Sequence, residues 1–320
     1  MNKWLKTTEC LRFEVIDGVA WVTLDRPDKR NALNRTLLRE LREAMLEADD
    51  RRAVHCVVLR GAGKDFCAGY DVTPAPAANQ DYDASLYRQP GAISVADDSW
   101  RLERNQSDIL SIFDMHKPVI AMVHGNCVAG GTDLALCCDM VIAARDARIG
   151  FPATRAMGTP PMHMWLYSIG PLWAKRLLLT GDMLSGRDAA KVGLVMKAVA
   201  PDKLEAEVRA LAARMAMIHP DLLAGNKRIV NMGLELMGAR ILQRFAAETD
   251  ARAHQSDAVK EFGRVAREEG LSTAFRKRDQ PFGDGMVRLE TTSNRLRSHT
   301  HTTSPTRHQS ATSSLGSFSN

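Results

Sequence analysis

Apolar and polar residues alternate on both sides of Asp17-Gly18 in LRFEVIDGVAWVTLDRP, and alternation around an Asp-Gly pair predicts a β-hairpin. Beyond DRPDKRNALN the period lengthens. Leu37, Leu38, Leu41, Ala44, Met45 and Ala48 recur at helical spacing, and Asn34 stands where its side chain can cap that helix. AVHCVVLRG and PVIAMVHG are short apolar runs closed by glycine and read as buried strands; DMVIAARD and ARIGFP read as further extended pieces. From Trp165 the pattern is mostly helical: PLWAKRLLLTG, then GRDAAKVG behind a capping Ser185, a brief LVMKAV strand, and amphipathic stretches after Pro201 that include DLLAGNKRIVNMG and RILQRFAAETDARA. Strands alternating with helices predict a layered α/β core over 1–200, with a helical region at 201–285 that covers the core or a neighbouring subunit. No internal repeat is visible.

Two segments break the pattern. Residues 72–99, rich in Pro, Ala, Asp and Ser, read as a long insertion of the kind that serves as a lid. Residues 286–320, mainly Ser, Thr, His and Arg, bury too little to offset chain entropy and are expected to be disordered.

Composition adds mainly exclusions. Apolar and charged fractions of 45% and 25% are ordinary for a globular protein. The formal charge is +5, but the end of the chain sets Arg288, Arg295, Arg297 and Arg307 against Glu290 alone, so the body is close to neutral and no nucleic-acid partner is expected. The six cysteines lie mostly in apolar runs without C-x2-C spacing, which reads as reduced core thiols and no metal site. No signal-type stretch or membrane-length apolar run is present, so a cytoplasmic protein without membrane attachment is expected.

Candidate chemistry gathers at two glycine turns that follow predicted strands, FCAGYD and VAGGTDL. Glycine lets a ligand approach the main chain, and a helix starting at Gly130 adds its positive end, so the two turns together suit a developing negative oxygen. Asp133 falls in the first turn of that helix. It reads either as a helix-start aspartate favoured by the dipole or as an acid/base group whose pKa is raised by apolar surroundings. GAGKD lacks the glycine spacing and the Ser or Thr of a phosphate loop, and His124 reads as a packed strand-end residue.

Five motifs in order carry a resemblance: DRPDKRNALN, GAGKDFCAGYDV, KPVIAMVHGNCVAGGTDLALCCDMVIAARDARIGFP, AKRLLLTGDMLSGRDAAKVGLV and NKRIVN. Across about residues 10–285 the chain resembles the crotonase superfamily, the enoyl-CoA hydratase/isomerase group. The resemblance implies a spiral of ββα units, a C-terminal helical trimerisation region, homotrimers stacked into hexamers, and an acyl-CoA thioester substrate of fatty acid metabolism with no separate cofactor. It places the oxyanion donors on the N–H groups of Tyr70 and Gly130, the CoA contacts at Lys29, Ala32, Ala68, Tyr70, Asp71 and Val72, and the first catalytic carboxylate at Asp133, where dienoyl-CoA isomerases of the family also have Asp. The second catalytic glutamate should follow Pro152, and here the residue is Ala153. Arg155 and His163 lie near that turn and read either as pocket residues in its stead or, respectively, as a structural ion pair and an ordinary helix histidine. The expectation is an enoyl-CoA hydratase, a hydro-lyase; the alternatives are an enoyl- or dienoyl-CoA isomerase, an acyl-CoA hydrolase, or a catalytically reduced CoA-binding scaffold.

Overall fold

The computed structural model describes residues 2–73, 86 and 94–289. The hairpin forms as expected: β1 (Leu11–Ile16) pairs antiparallel with β2 (Val19–Leu24), and Asp17 and Gly18 hold φ of 48° and 79°, the two positive values that a tight primed turn requires. Asn34 Oδ1 accepts the Leu37 N–H at 2.8 Å and starts α1 (Arg35–Asp50), whose buried stripe includes Leu37, Leu41, Ala44, Met45 and Ala48.

Next come β3 (Cys56–Gly61), α2 (Val95–Asp114), β4 (Val119–Val123), β5 (Asn126–Val128), α3 (Gly130–Cys137), β6 (Met140–Ala144) and β7 (Arg148–Gly150). α4 (Trp165–Leu178), kinked at Gly170 and Pro171, leads to β8 (Met183–Ser185), to α5 (Gly186–Lys191) behind its Ser185 cap, and to β9 (Lys197–Val199). The remainder is helical: α6 (Leu204–Ala216), α7 (Pro220–Leu236), α8 (Ala239–Ala253), α9 (Asp257–Glu268) and α10 (Leu271–Asp279), closed by the two-residue β10 (Met286–Val287).

The strands form two sheets. One has six strands in the order β1-β2-β3-β4-β6-β9, parallel from β2 onward; the other has four, in the order β10-β8-β7-β5. Strands β2, β3 and β4 are buried almost throughout, which is why they read as unbroken apolar runs. Successive units such as β4–β5–α3 place one strand in each sheet before a helix, the ββα spiral that the resemblance implied.

Two expectations shift. The segment 72–99 contains the start of α2 from Val95, with the Ser94 hydroxyl accepting the Asp97 N–H; its residues 74–85 and 87–93 lie outside the described residues, and with them the lid. Met286 and Val287 pair with Met183 and Leu184 of β8, so these two belong to the folded body and not to the tail, of which 290–320 lie outside the described residues. The helices after Pro201 join the preceding core in one compact unit that runs to Arg288.

Candidate active site

The loop after β3 runs back beside β5. Phe66 N–H donates to His124 O at 2.9 Å, Cys67 N–H to Asn126 O at 3.0 Å, and Val128 N–H to Cys67 O at 3.1 Å. The two glycine turns thus lie side by side. Gly131 is required by this closeness, since a Cβ there would stand 2.4 Å from Cys67 O. Between β5 and α3, Ala129 holds φ 51° and ψ −122°, a conformation that L-residues rarely adopt and that tends to mark functional turns.

Two backbone donors remain open. Leu33 N–H donates to Gly69 O at 2.8 Å and Asp71 N–H to Leu33 O at 3.0 Å, an arrangement that turns the Tyr70 N–H to the other side of the bridge. Gly130 heads α3, where the first N–H groups have no partner within the helix. Among the described residues neither the Tyr70 N–H nor the Gly130 N–H has a hydrogen-bond partner. A Cβ on Gly69 would lie 3.4 Å from Gly130 N, and one on Gly130 would lie 2.9 Å from two Tyr70 ring carbons, so the two turns are in contact at this point.

Asp133 is 2% exposed within an α3 whose eight residues are all buried. The Tyr70 hydroxyl donates to its Oδ2 at 3.1 Å. Burial pushes the Asp133 carboxyl up to about 8, the Tyr70 hydrogen bond holds it back, and the charge of Asp250 raises it further. The Tyr70 phenol is itself held well above its ordinary value by burial and by Asp133, so it stays a donor. The hydroxyl of Tyr70 has no counterpart among the sequence expectations, which gave this residue only a backbone role.

The residues that the resemblance assigned to CoA line adjoining loops. Lys29 is exposed at the end of a 3₁₀ turn, Ala68 N–H donates to Arg30 O at 3.0 Å, and Val72 is 37% exposed. Arg26, part of DRPDKRNALN but given no role there, ties the two loops together through Ala32 O at 2.5 Å and Asp71 Oδ2 at 2.9 Å.

The turn after Pro152 carries no carboxylate. Ala153 sits in the 3₁₀ segment Pro152–Arg155, and its carbonyl accepts the N–H groups of Met157 at 2.7 Å and Gly158 at 3.2 Å. Of the two readings of Arg155 the ion pair is the one formed: its side chain, 3% exposed, is held by Asp182 and Asp279, each at 3.1 Å, by Thr180 O, and by the Phe282 ring. A guanidinium so engaged belongs to the packing of α10, not to a pocket. His163, at φ 42°, is half-buried, burial lowers its pKa, and its buried Nδ1 has no partner among the described residues.

A second acidic cluster, missed in the sequence, lies beyond this turn. Thr159 N–H donates to Asp250 Oδ1 at 2.6 Å; His254 Nε2 is 3.5 Å from the same oxygen, and His254 Nδ1 is 2.5 Å from Asp98 Oδ2. The available signal was spacing, since Gln243, Ala247 and Asp250 fall on one stripe of α8, continued by His254 at its C-terminal cap and facing α2.

Comparison with known proteins fits this geometry. The profile of the family described as Enoyl-CoA hydratase/isomerase matches residues 14–285. Among curated relatives, the crotonyl-CoA hydratase of Syntrophomonas wolfei is 35% identical over 65% of this chain and 75% of its own. The probable enoyl-CoA hydratase of Rhizobium meliloti is 32% identical over 79% and 95%. Among solved structures, an enoyl-CoA hydratase from Mycobacterium smegmatis superposes with a TM-score of 0.80 at 35% identity, covering 87% of this chain and 95% of that one. An enoyl-CoA hydratase/isomerase from Xanthobacter autotrophicus Py2 gives 0.77 at 33% identity, over 86% and 99%. With nearly the whole described fold matched at this identity, the chain belongs to the enoyl-CoA hydratase/isomerase family, the crotonase superfamily.

Proposed function

We propose that the chain is an enoyl-CoA hydratase, a hydro-lyase that adds water across a 2-enoyl-CoA thioester. The observation that carries this reading is the buried Asp133 carboxyl, held near pKa 8 and hydrogen-bonded by Tyr70 at 3.1 Å, beside the open N–H groups of Tyr70 and Gly130. The thioester carbonyl sits between those two donors, which stabilise the enolate formed when water adds at the β-carbon; one such donor is worth roughly 10²–10³ in rate. Because Tyr70 donates to Oδ2, Asp133 carries its transferable proton on Oδ1 and delivers it to the α-carbon. Lys29, Ala32, Ala68, Asp71 and Val72 border the CoA moiety, and the reaction needs no cofactor beyond it. All six cysteines are free, which fits a reducing cytoplasm, and among the described residues no helix is long and apolar enough to cross a membrane.

The test is mass-spectrometric analysis of short, medium and aromatic enoyl-CoA thioesters incubated with the protein and with Asp133→Asn. Gain of one water, lost in the variant, is the expected result; unchanged thioester mass with a shifted chromatographic position would replace hydration by double-bond isomerisation. That second reading is favoured by Ala153, because isomerisation moves a proton between carbons with a single carboxylate.

A further inference from the structure

We infer that Asp250 is the second carboxylate of this site, the group that takes the proton of the attacking water, supplied by α8 in place of the turn after Pro152. The inference rests on the hydratase reading and completes it.

Asp250 is 4% exposed, and its placement is built by the segment that follows Ala153. Thr159 N–H holds Oδ1 at 2.6 Å, and Gly158, at φ 152°, leaves the space the carboxylate occupies, since a Cβ there would stand 2.4 Å from that oxygen. The Thr159 hydroxyl oxygen is buried and has no partner among the described residues, so the main-chain N–H alone ties this residue to Asp250. The charged groups that act on Asp250 are His254, whose Nε2 is 3.5 Å from Oδ1, and Asp98 and Arg101 of α2. Gly158 N–H in turn donates to Ala153 O at 3.2 Å, which sets Asp250 beside the position where the second glutamate is missing, and the charge of Asp250 raises Asp133 and Tyr70.

The two carboxyls are driven apart in the sense that acid/base pairs require. Burial pushes Asp250 up to about 6, with Asp98 adding and His254, the Thr159 N–H and Arg101 opposing, whereas Asp133 stands at about 8. Near neutrality Asp250 is therefore the ionised base and Asp133 the protonated acid. Water oxygen forms its bond to the β-carbon while one of its protons passes to Asp250. The π pair moves to the thioester oxygen as an enolate, and collapse of the enolate takes the Asp133 proton onto the α-carbon. Asp133 is left ionised and Asp250 protonated, and exchange with solvent resets the pair. His254 is a positioning residue: burial lowers its pKa, but Asp98 and Asp250 outweigh burial and keep it raised, so its cation steadies the Asp250 anion.

The experiment compares wild type with Asp250→Asn, which keeps an oxygen for the Thr159 N–H. Two rates are measured against pH: hydration of a four-carbon 2-enoyl-CoA, and exchange of the α-proton of the corresponding saturated thioester in D2O, which uses Asp133 and the oxyanion donors but no attacking water. The expected result is a kcat for hydration lowered by about 10²-fold or more with KM unchanged, loss of the acid limb near pH 6, and exchange kept within about tenfold of wild type, its pH dependence displaced downward because Asp133 loses a neighbouring charge. A kcat within about tenfold of wild type, a surviving acid limb, or parallel loss of exchange overturns the assignment of Asp250 alone. Wild-type protein that exchanges but never hydrates overturns the hydratase reading and this inference with it. Should Asp250→Asn fail to fold, His254→Gln carries the test: removing the cation moves the acid limb to higher pH, and an unmoved limb overturns the inference.

Discussion

The Tyr70 hydroxyl and the Asp133 carboxyl meet at 3.1 Å across 63 residues of sequence. Tyr70 is held above its ordinary pKa and Asp133 up to about 8, so near neutrality two buried acids share one hydrogen bond without a net charge between them. That avoids the desolvation cost of a buried anion and keeps a transferable proton beside the open backbone donors.

Removing the hydroxyl while keeping the ring separates the side-chain role of Tyr70 from its backbone role. In Tyr70→Phe the bond that holds Asp133 down is lost, so the alkaline limb of the pH–rate profile moves above its wild-type position near 8. The Tyr70 N–H is untouched, so KM stays unchanged. A pH series of initial rates checks both; an unmoved alkaline limb would detach the phenol from the titration.

Asp133→Asn tests the same burial through stability. The folded carboxyl has its pKa raised from 3.8 to about 8, so the folded state binds the proton more tightly and wild type loses stability as pH rises between those values. Each tenfold gain in proton affinity on folding corresponds to roughly 1.4 kcal/mol. Asparagine is neutral throughout and still accepts from Tyr70. The variant's Tm should therefore match wild type near pH 4 and exceed it by a margin that widens up to pH 8, while hydration is abolished. A Tm difference independent of pH would contradict the buried, proton-binding aspartate.

The hairpin and the cap of α1 were legible in the sequence because Asp17-Gly18 and Asn34 act within a few residues, on a turn and on the Leu37 N–H. The glycine turns were legible for a related reason, as close backbone approach at Gly131 admits no side chain. Strand β5, three residues long, is too short to show a period. Asp250 was hidden by distance: its bond to Thr159 spans 91 residues and the His254–Asp98 contact 156, and no local pattern records which residues of α2 and α8 will face each other. Arg155 was legible only as a choice between pocket and ion pair, because Asp182 and Asp279, which hold it, lie 27 and 124 residues away.

Arg155→Met tests that ion pairing. The substitution leaves Asp182 and Asp279 without this partner and removes the contact with Phe282, at a cost on the order of 2 kcal/mol, since both carboxylates keep some solvent. Chemical denaturation should show that loss, with kcat and KM unchanged. A selective fall in kcat at wild-type stability would return Arg155 to the pocket.

The outer faces of α7 and α8 bear on the assembly. Leu222, Ile229 and Leu236, 62%, 65% and 88% exposed, share one face of α7, and Ile241 and Phe245 of α8 are 64% and 62% exposed. Apolar residues this open and regularly spaced suit a contact between copies of the chain, the homotrimer or hexamer that the family resemblance implies. Light scattering should give three or six times the 35.3 kDa chain mass. Ile229→Glu should lower it toward one. The helix that presents Ile241 and Phe245 outward carries Gln243 and Asp250 inward, so a neighbouring copy seated on α8 would also fix the second carboxylate. Dissociation by Ile229→Glu should therefore reduce hydration more than α-proton exchange, which depends on α3. Equal loss of both rates would mean that the interface steadies the whole fold; no loss would mean that α8 holds Asp250 without help from another copy.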